Sequence, residues 1–137
     1  MDKSQLFSAE TAKSPAEFAK DFTAVCEKYD FIVNNSGTMD MAKTFAAHGH
    51  PGAEGFDLHM IQVCKPMKAS GSLSGNPERA ILMPKFVHAF SKEGKTQVRY
   101  LSYSGDDIAA LVDNDKPFPG ALAETFAKIQ SMISEAC

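Results

Sequence analysis

The chain contains 137 residues, of which 44% are hydrophobic and 23% are charged, and its formal net charge is −3. This composition is that of an ordinary globular protein, and the length is most simply that of one domain spanning residues 1–137. Lysine and arginine form no run or basic patch, so we expect no nucleic-acid partner.

Apolar runs are only a few residues long, so we expect no association with a membrane. The N-terminal residues lack the charged and apolar regions of a signal peptide. The cysteines at positions 26, 64 and 137 have wide spacings that match neither a disulfide framework nor a zinc motif. We therefore expect a cytoplasmic protein with reduced cysteines, although a natural chain that had lost a signal peptide would give the same pattern.

The first third of the chain predicts a weak strand and then a long helix. The strand is expected near Leu6–Lys13, and the helix is expected to begin after Ser14 and to end near Asp30. Ser14 is a good N-cap, the following proline suits the first helical position, and Glu17 completes a capping box.

A short strand and a short helix are predicted next. Residues 31–36 (FIVNNS) have the composition of a strand. A helix over Met39–His48 would be capped by Thr38 and ended by Gly49, which can adopt a positive φ without steric penalty.

The middle of the chain predicts two strands joined by a loop. We expect a strand at Phe56–Cys64, a loop of small residues at Met67–Arg79, and a strand at Ala80–Phe90. Pro84 cannot donate a ladder hydrogen bond, so it predicts an edge or a bulge. Alternation in the first strand places one set of side chains on a common face, namely Asp57, His59, Ile61 and Val63.

A turn at Lys92–Lys95 predicts a hairpin to a further strand at Thr96–Tyr103. Ser104 is expected to cap a short helix that ends near Val112, and a last helix is expected at Ala121–Ala136. Consecutive hairpin strands with helices before and after them indicate an α+β fold. We expect a two-layer sandwich whose mainly antiparallel sheet carries helices on one face.

The pattern over about residues 14–135 resembles the domain of unknown function 302 family. The matching pieces are the helix start SPAEF, the strand FIV, the strand end VCKP, the segment LMP, the turn EGK and the strand VRYLSY. The resemblance implies a compact sandwich of the TATA-binding-protein-like arrangement, and it implies self-association, so we expect a homodimer. It implies no activity and no catalytic residues.

Cys64 is the best single candidate for reactive chemistry. A nucleophilic cysteine needs a nearby cation to lower its pKa, and Lys65 and Lys85 are the candidates for that cation. A free cysteine is more often a small buried hydrophobic residue, which is the competing interpretation. Catalytic motifs of other classes are absent from the sequence.

A second hypothesis is a redox, metal or haem-binding protein. Thioether, imidazole and thiolate groups are concentrated between residues 39 and 88, and such groups suit Cu(I) or haem iron. Neighbouring strands would bring His59, Cys64 and His88 together. The competing interpretation is that these methionines and histidines fill the core and end a helix.

The leading hypothesis is a non-enzymatic module that binds a small ligand or a protein partner. Glycine, serine and alanine line the predicted loop between two buried strands, which leaves room for a ligand. The predicted ligand-binding residues are Cys64, Lys65, Ser70, Ser72 and Lys85.

Overall fold

The computed structural model describes residues 2–137. Over these residues the elements are β1 (Leu6–Thr11), α1 (Pro15–Lys28), β2 (Ile32–Val33), α2 (Met41–Ala47), β3 (Leu58–Cys64), α3 (Pro66–Gly75), β4 (Lys85–Lys92), β5 (Lys95–Leu101), α4 (Gly105–Leu111) and α5 (Phe118–Ala136). Short 3-10 helices precede β1 at Lys3–Gln5 and β4 at Pro77–Leu82.

The strands form one open antiparallel sheet in the order β1-β5-β4-β3-β2. One face of this sheet is buried, and its core side chains include Ile61, Val63, Val87, Val98 and Tyr100. Helices α1 and α5 pack against each other and cover that face. The predicted α+β sandwich with helices on one face is confirmed.

The start of α1 follows the sequence prediction closely. The Ser14 hydroxyl accepts a hydrogen bond from the Glu17 backbone N–H at 3.1 Å, and the Glu17 carboxylate accepts one from the Ser14 N–H at 3.4 Å. Phe18, Phe22 and Cys26 then lie on the buried face of the helix. Burial raises the pKa of the Cys26 thiol to about 12, so this cysteine is a core residue.

The predicted strand at residues 31–36 and the predicted helix after it are both longer than the elements observed. Strand β2 contains only Ile32 and Val33, because the Asn35 side chain then replaces the backbone on the edge of β3. It donates to the Met60 carbonyl at 2.9 Å and accepts from the Gln62 N–H at 2.8 Å. Helix α2 begins at Met41, where Asp40 is the N-cap instead of Thr38.

The prediction of a loop at residues 67–79 is wrong, because α3 occupies Pro66–Gly75. Serine and glycine have low helix propensity, but tertiary contacts of α3 outweigh that preference. The predicted start of β4 at Ala80 is also wrong, since residues 77–82 form a 3-10 helix. Strand β4 lies in the middle of the sheet, and Pro84 precedes it. The proline therefore marks neither an edge nor a bulge.

The predictions for the C-terminal third are confirmed with small shifts. Gly94 has a φ of +81° in the turn between β4 and β5, which glycine adopts without strain. The Ser104 hydroxyl caps α4 by accepting from the Asp107 N–H at 3.1 Å. Helix α5 begins at Phe118, three residues before the predicted start.

None of the helices described over residues 2–137 is both long enough and apolar enough to cross a membrane.

The N-cap of α1 provides a test of the local energetics. We expect Ser14→Ala to lower the free energy of unfolding in urea by roughly 1 kcal/mol, because it removes the hydroxyl acceptor of the capping box. The matched control is Ser131→Ala on the exposed face of α5, where alanine should be neutral or slightly stabilising because of its higher helix propensity. Equal effects at both positions would contradict the capping argument.

Candidate functional site

A cavity of about 220 Å³ lies at the C-terminal end of β3, where this strand meets α3, α5 and the start of β4. Its walls are mostly apolar, and α5 forms one of them. The side chains of that wall are Phe118, Ala121, Leu122, Thr125 and Ile129. Such a concave apolar site with a few polar groups is the usual form of a small-molecule site.

Three lysines, Lys65, Lys68 and Lys85, are among the lining residues, and none of the described lining residues is acidic. Lys65 Nζ lies 5.2 Å from the centroid of the Phe31 ring. Lys68 Nζ donates to Thr125 Oγ1 at 2.8 Å. Among the described residues, no carboxylate forms an ion pair with any of the three ammonium groups. The cavity therefore carries uncompensated positive charge.

Lys85 is the most buried of these three ammonium groups. Its Nζ donates to the Met83 sulfur at 2.9 Å, which is a weak acceptor. Burial lowers the pKa of Lys85, a negative charge on the neighbouring Cys64 would raise it, and the nearby Lys68 lowers it further. The site thus contains an amine whose charged form is poorly solvated by the fold itself.

The structure brings four of the five predicted ligand-binding residues to this cavity. Cys64, Lys65, Ser72 and Lys85 line it, as the meeting point of two strands and the segment after β3 implied. Ser70 is exposed on α3 and is not among the lining residues. Residues 66–75 form a helix instead of the predicted loop, and its period turns Ser70 away and brings Lys68 and Ser72 to the cavity.

The three residues predicted as a metal or haem site do not lie together. His59 points to the buried face of the sheet, whereas Cys64 has the opposite parity in the same strand. His88 pairs with Met60, so it shares the face of Cys64 but lies four residues away along the sheet. At about 3.3 Å per residue this separates them by about 13 Å. One metal ion cannot be shared by these three side chains in this arrangement.

Other lining residues were missed by the sequence reading. Leu122 and Ile129 fall at helical spacing within the predicted last helix, but an apolar stripe that faces a cavity has the same spacing as one that faces a packed core. Pro66 was the available signal that a helix begins there, and the start of the helix sets the direction of Lys68 in its first turn.

The chain matches the sequence profile of the domain of unknown function DUF302 over residues 7–136. It belongs to the DUF302 family. The resemblance inferred from the helix start, the VCKP strand end and the hairpin is therefore confirmed.

A solved crystal structure of an uncharacterized conserved DUF302 protein from Bacillus stearothermophilus has the same fold, with a TM-score of 0.69. The two proteins are 15% identical, and the alignment covers 96% of this chain and 94% of the other. At this identity the likeness shows the fold alone. No curated protein matches the chain.

In this DUF302 protein, Arg79 fastens the α3 wall of the cavity to the segment before α5. Its guanidinium donates to both oxygens of Asp115 at 2.6 and 2.8 Å. It also donates to the Ser72 carbonyl at 3.2 Å and lies 4.8 Å from the centroid of the Phe118 ring. Both Ser72 and Phe118 line the cavity. The ion pair therefore sets the distance between two cavity walls.

The Arg79–Asp115 pair makes the stability of this region depend on pH. The Arg79 guanidinium lowers the pKa of Asp115 from 3.8 to about 2, and the Asn76 side chain adds a hydrogen bond. A carboxyl with a lowered folded-state pKa contributes stability that is present above its unfolded pKa and is lost as the pH falls through the folded value. The contribution is thus complete above pH 3.8 and lost by about pH 2.

We expect Asp115→Asn to lower the melting temperature at neutral pH and to flatten its dependence on pH between 3.8 and about 2. Thermal unfolding followed by circular dichroism at several pH values measures both effects. The matched control is Asp113→Asn, an exposed aspartate two residues away that should leave the profile unchanged. A wild-type profile in the Asp115→Asn variant would show that the ion pair does not stabilise the fold.

Proposed function

We propose that this protein binds a small anion with an apolar body, of the kind represented by a medium-chain carboxylate, in the cavity between α3, α5 and the end of β3. The observation that carries the proposal is the set of lysines at an apolar cavity without a carboxylate partner among the described residues.

Each of the three ammonium groups contacts an uncharged partner. Lys65 lies over an aromatic ring, Lys68 donates to a hydroxyl, and Lys85 donates to a thioether. Each of these partners is neutral, so none of them compensates the positive charge of an ammonium group. A bound carboxylate would accept charge-assisted hydrogen bonds from such groups, and these are stronger than bonds between neutral partners.

The walls determine the rest of the ligand. The aliphatic and aromatic side chains of α5 and Val63 offer no hydrogen bonds, so they favour a hydrocarbon body over a polar one. The volume of about 220 Å³ lies below the range of roughly 300–1,000 Å³ that is typical for drug-sized ligands. The ligand is therefore expected to be a small metabolite-sized molecule.

Helix α3 is the wall that is best suited to open for entry of the ligand. It buries none of its residues. Its side-chain hydrogen bonds to the rest of the site are those from Arg79 to Ser72 and those from Lys68 to Thr125 and to the Ala121 carbonyl. Segments with few buried apolar contacts open at lower free energy than the core.

A matched pair of ligands tests the charge. We expect octanoate to bind more tightly than 1-octanol, because the two share an eight-carbon chain and differ in the carboxylate that the lysines would pair. Isothermal titration calorimetry at neutral pH measures both affinities. Equal affinity, or tighter binding of the alcohol, would remove the basis for an anionic ligand.

A matched pair of variants in α3 tests the location. Ala69 lines the cavity, so Ala69→Trp should fill it and abolish octanoate binding. Gly71 lies on the same helix, a Cβ there would meet nothing within 4 Å, and it is not among the lining residues, so Gly71→Trp should bind as the wild type does. Binding that survives in the first variant would place the ligand elsewhere.

We also propose that the protein self-associates through the uncovered face of the sheet, which would give the expected homodimer. Leu6 and Leu101 pair on that face and are 36% and 45% exposed. Phe86 and Phe90 of β4 point to the same side. Apolar side chains on an otherwise solvated sheet face are typical of a protein–protein contact.

We expect Leu101→Glu to shift the protein from dimer to monomer in sedimentation velocity, because it buries a charge in the proposed contact. Leu111→Glu is the matched control, since Leu111 is 56% exposed on α4. A monomeric wild type, or a dimer that persists in the Leu101→Glu variant, would contradict this contact.

A further inference from the structure

Three potential metal ligands meet at the opposite end of β3 from the cavity. Asp40 forms an isolated antiparallel bridge with His59, and the Met60 N–H donates to the Met39 carbonyl at 2.9 Å. Residues that face each other in an antiparallel pair share a side of the sheet, and residues two apart in one strand share it as well. Asp40, Asp57 and His59 are therefore brought to the same side.

The side chains of these three residues converge. One potential ligand atom from each of Asp40, Asp57 and His59 lies within 4.8 Å of the other two. His59 Nδ1 is 3.5 Å from Asp57 Oδ1. The Asp40 carboxylate is oriented by its role as N-cap of α2, where it accepts from the Lys43 N–H at 3.0 Å through one oxygen. Its other oxygen stays available.

The histidine of this cluster has an unused nitrogen in a buried position. His59 is only 5% exposed, and its Nδ1 has no hydrogen-bond partner among the described residues. Buried polar atoms in folded proteins are nearly always paired, so an unpaired one calls for an explanation. Here the unpaired atom lies 3.5 Å from the Asp57 carboxylate, and the Asp40 carboxylate belongs to the same cluster, which fits a cation between the three groups.

We propose that Asp40, Asp57 and His59 bind a divalent transition-metal cation of the Zn²⁺ type. One imidazole nitrogen and two carboxylate oxygens form a three-ligand set that leaves a position for water, and the two carboxylates balance the charge of the cation. With ligand bonds of about 2.1 Å, tetrahedral ligand atoms lie about 3.4 Å apart, so binding draws the side chains together. Asp57, whose side chain is 37% exposed, has room to make this movement.

The donor set also predicts which cations are rejected. Mg²⁺ and Ca²⁺ prefer shells made only of oxygen, whereas imidazole favours Zn²⁺ and its neighbours in the first transition series. The site should therefore bind Zn²⁺ at micromolar or lower concentration and bind Mg²⁺ and Ca²⁺ far more weakly. The site does not depend on the cavity or on its ligand.

Calorimetric titration of Zn²⁺ into chelator-treated protein without a histidine tag tests the site. We expect Asp57→Asn to weaken Zn²⁺ binding at least tenfold, because it removes one charged ligand from a part-exposed position without disturbing the core. Asp113→Asn makes the same change at an exposed residue and should bind Zn²⁺ like the wild type. A wild type that fails to bind Zn²⁺, or an Asp57→Asn variant that binds it equally well, overturns the proposal.

Exposed histidines are the main competing ligands, and a second variant separates them from the proposed site. His48 and His50 are both exposed, so the double variant His48→Gln/His50→Gln is expected to fold normally. Zn²⁺ binding should persist in it, and the nitrogen NMR signal of the His59 imidazole should move on addition of Zn²⁺. Loss of binding in this double variant would assign the metal to the surface and would overturn the site at His59.

Discussion

The two-residue period of strand β3 determines where the reactive side chains of this protein lie. His59, Ile61 and Val63 face the helices, whereas Cys64 faces the other side at the end of the strand. Because β3 pairs on both edges, a shift of one residue would exchange the two sets of side chains. The same strand thus supplies an imidazole to the buried layer at one end and a thiol to the cavity at the other.

Local signals were sufficient for the elements whose ends are fixed by local chemistry. The Ser14 capping box and the glycine turn between β4 and β5 depend on residues close in sequence, so a reading of the sequence places them correctly. The Pro66–Gly75 helix and the start of β4 depend on distant contacts. Arg79 lies outside the serine-rich helix α3 and donates hydrogen bonds to its Ser72. Helix propensities describe single residues, so they do not include such a contact.

The candidate site likewise contains residues whose positions the sequence predicts and residues whose positions depend on contacts between distant elements. Strands β3 and β4 are consecutive and antiparallel, so the end of the first lies beside the start of the second. The sequence alone could therefore predict that Cys64, Lys65 and Lys85 lie close together. The contribution of α5 to the cavity follows from packing between elements far apart in the chain. The pairing of Asp40 with His59 is likewise a contact between a loop and a strand edge. The metal site predicted from the sequence therefore combined His59 with Cys64 and His88, which the fold keeps apart.

Lys85 places a desolvation cost on the folded state that the fold itself does not remove. An ammonium group transferred from water to a half-buried site loses solvation, and for Lys85 this loss lowers its pKa. A bound anion would restore the missing interaction, so it would raise that pKa and stabilise the folded protein by an amount that grows with the logarithm of the anion concentration. Sequences usually avoid such unpaired charges unless function requires them. The position of Lys85, beside Cys64 and below α3, is therefore the strongest physical reason to regard this cavity as the functional part of the fold.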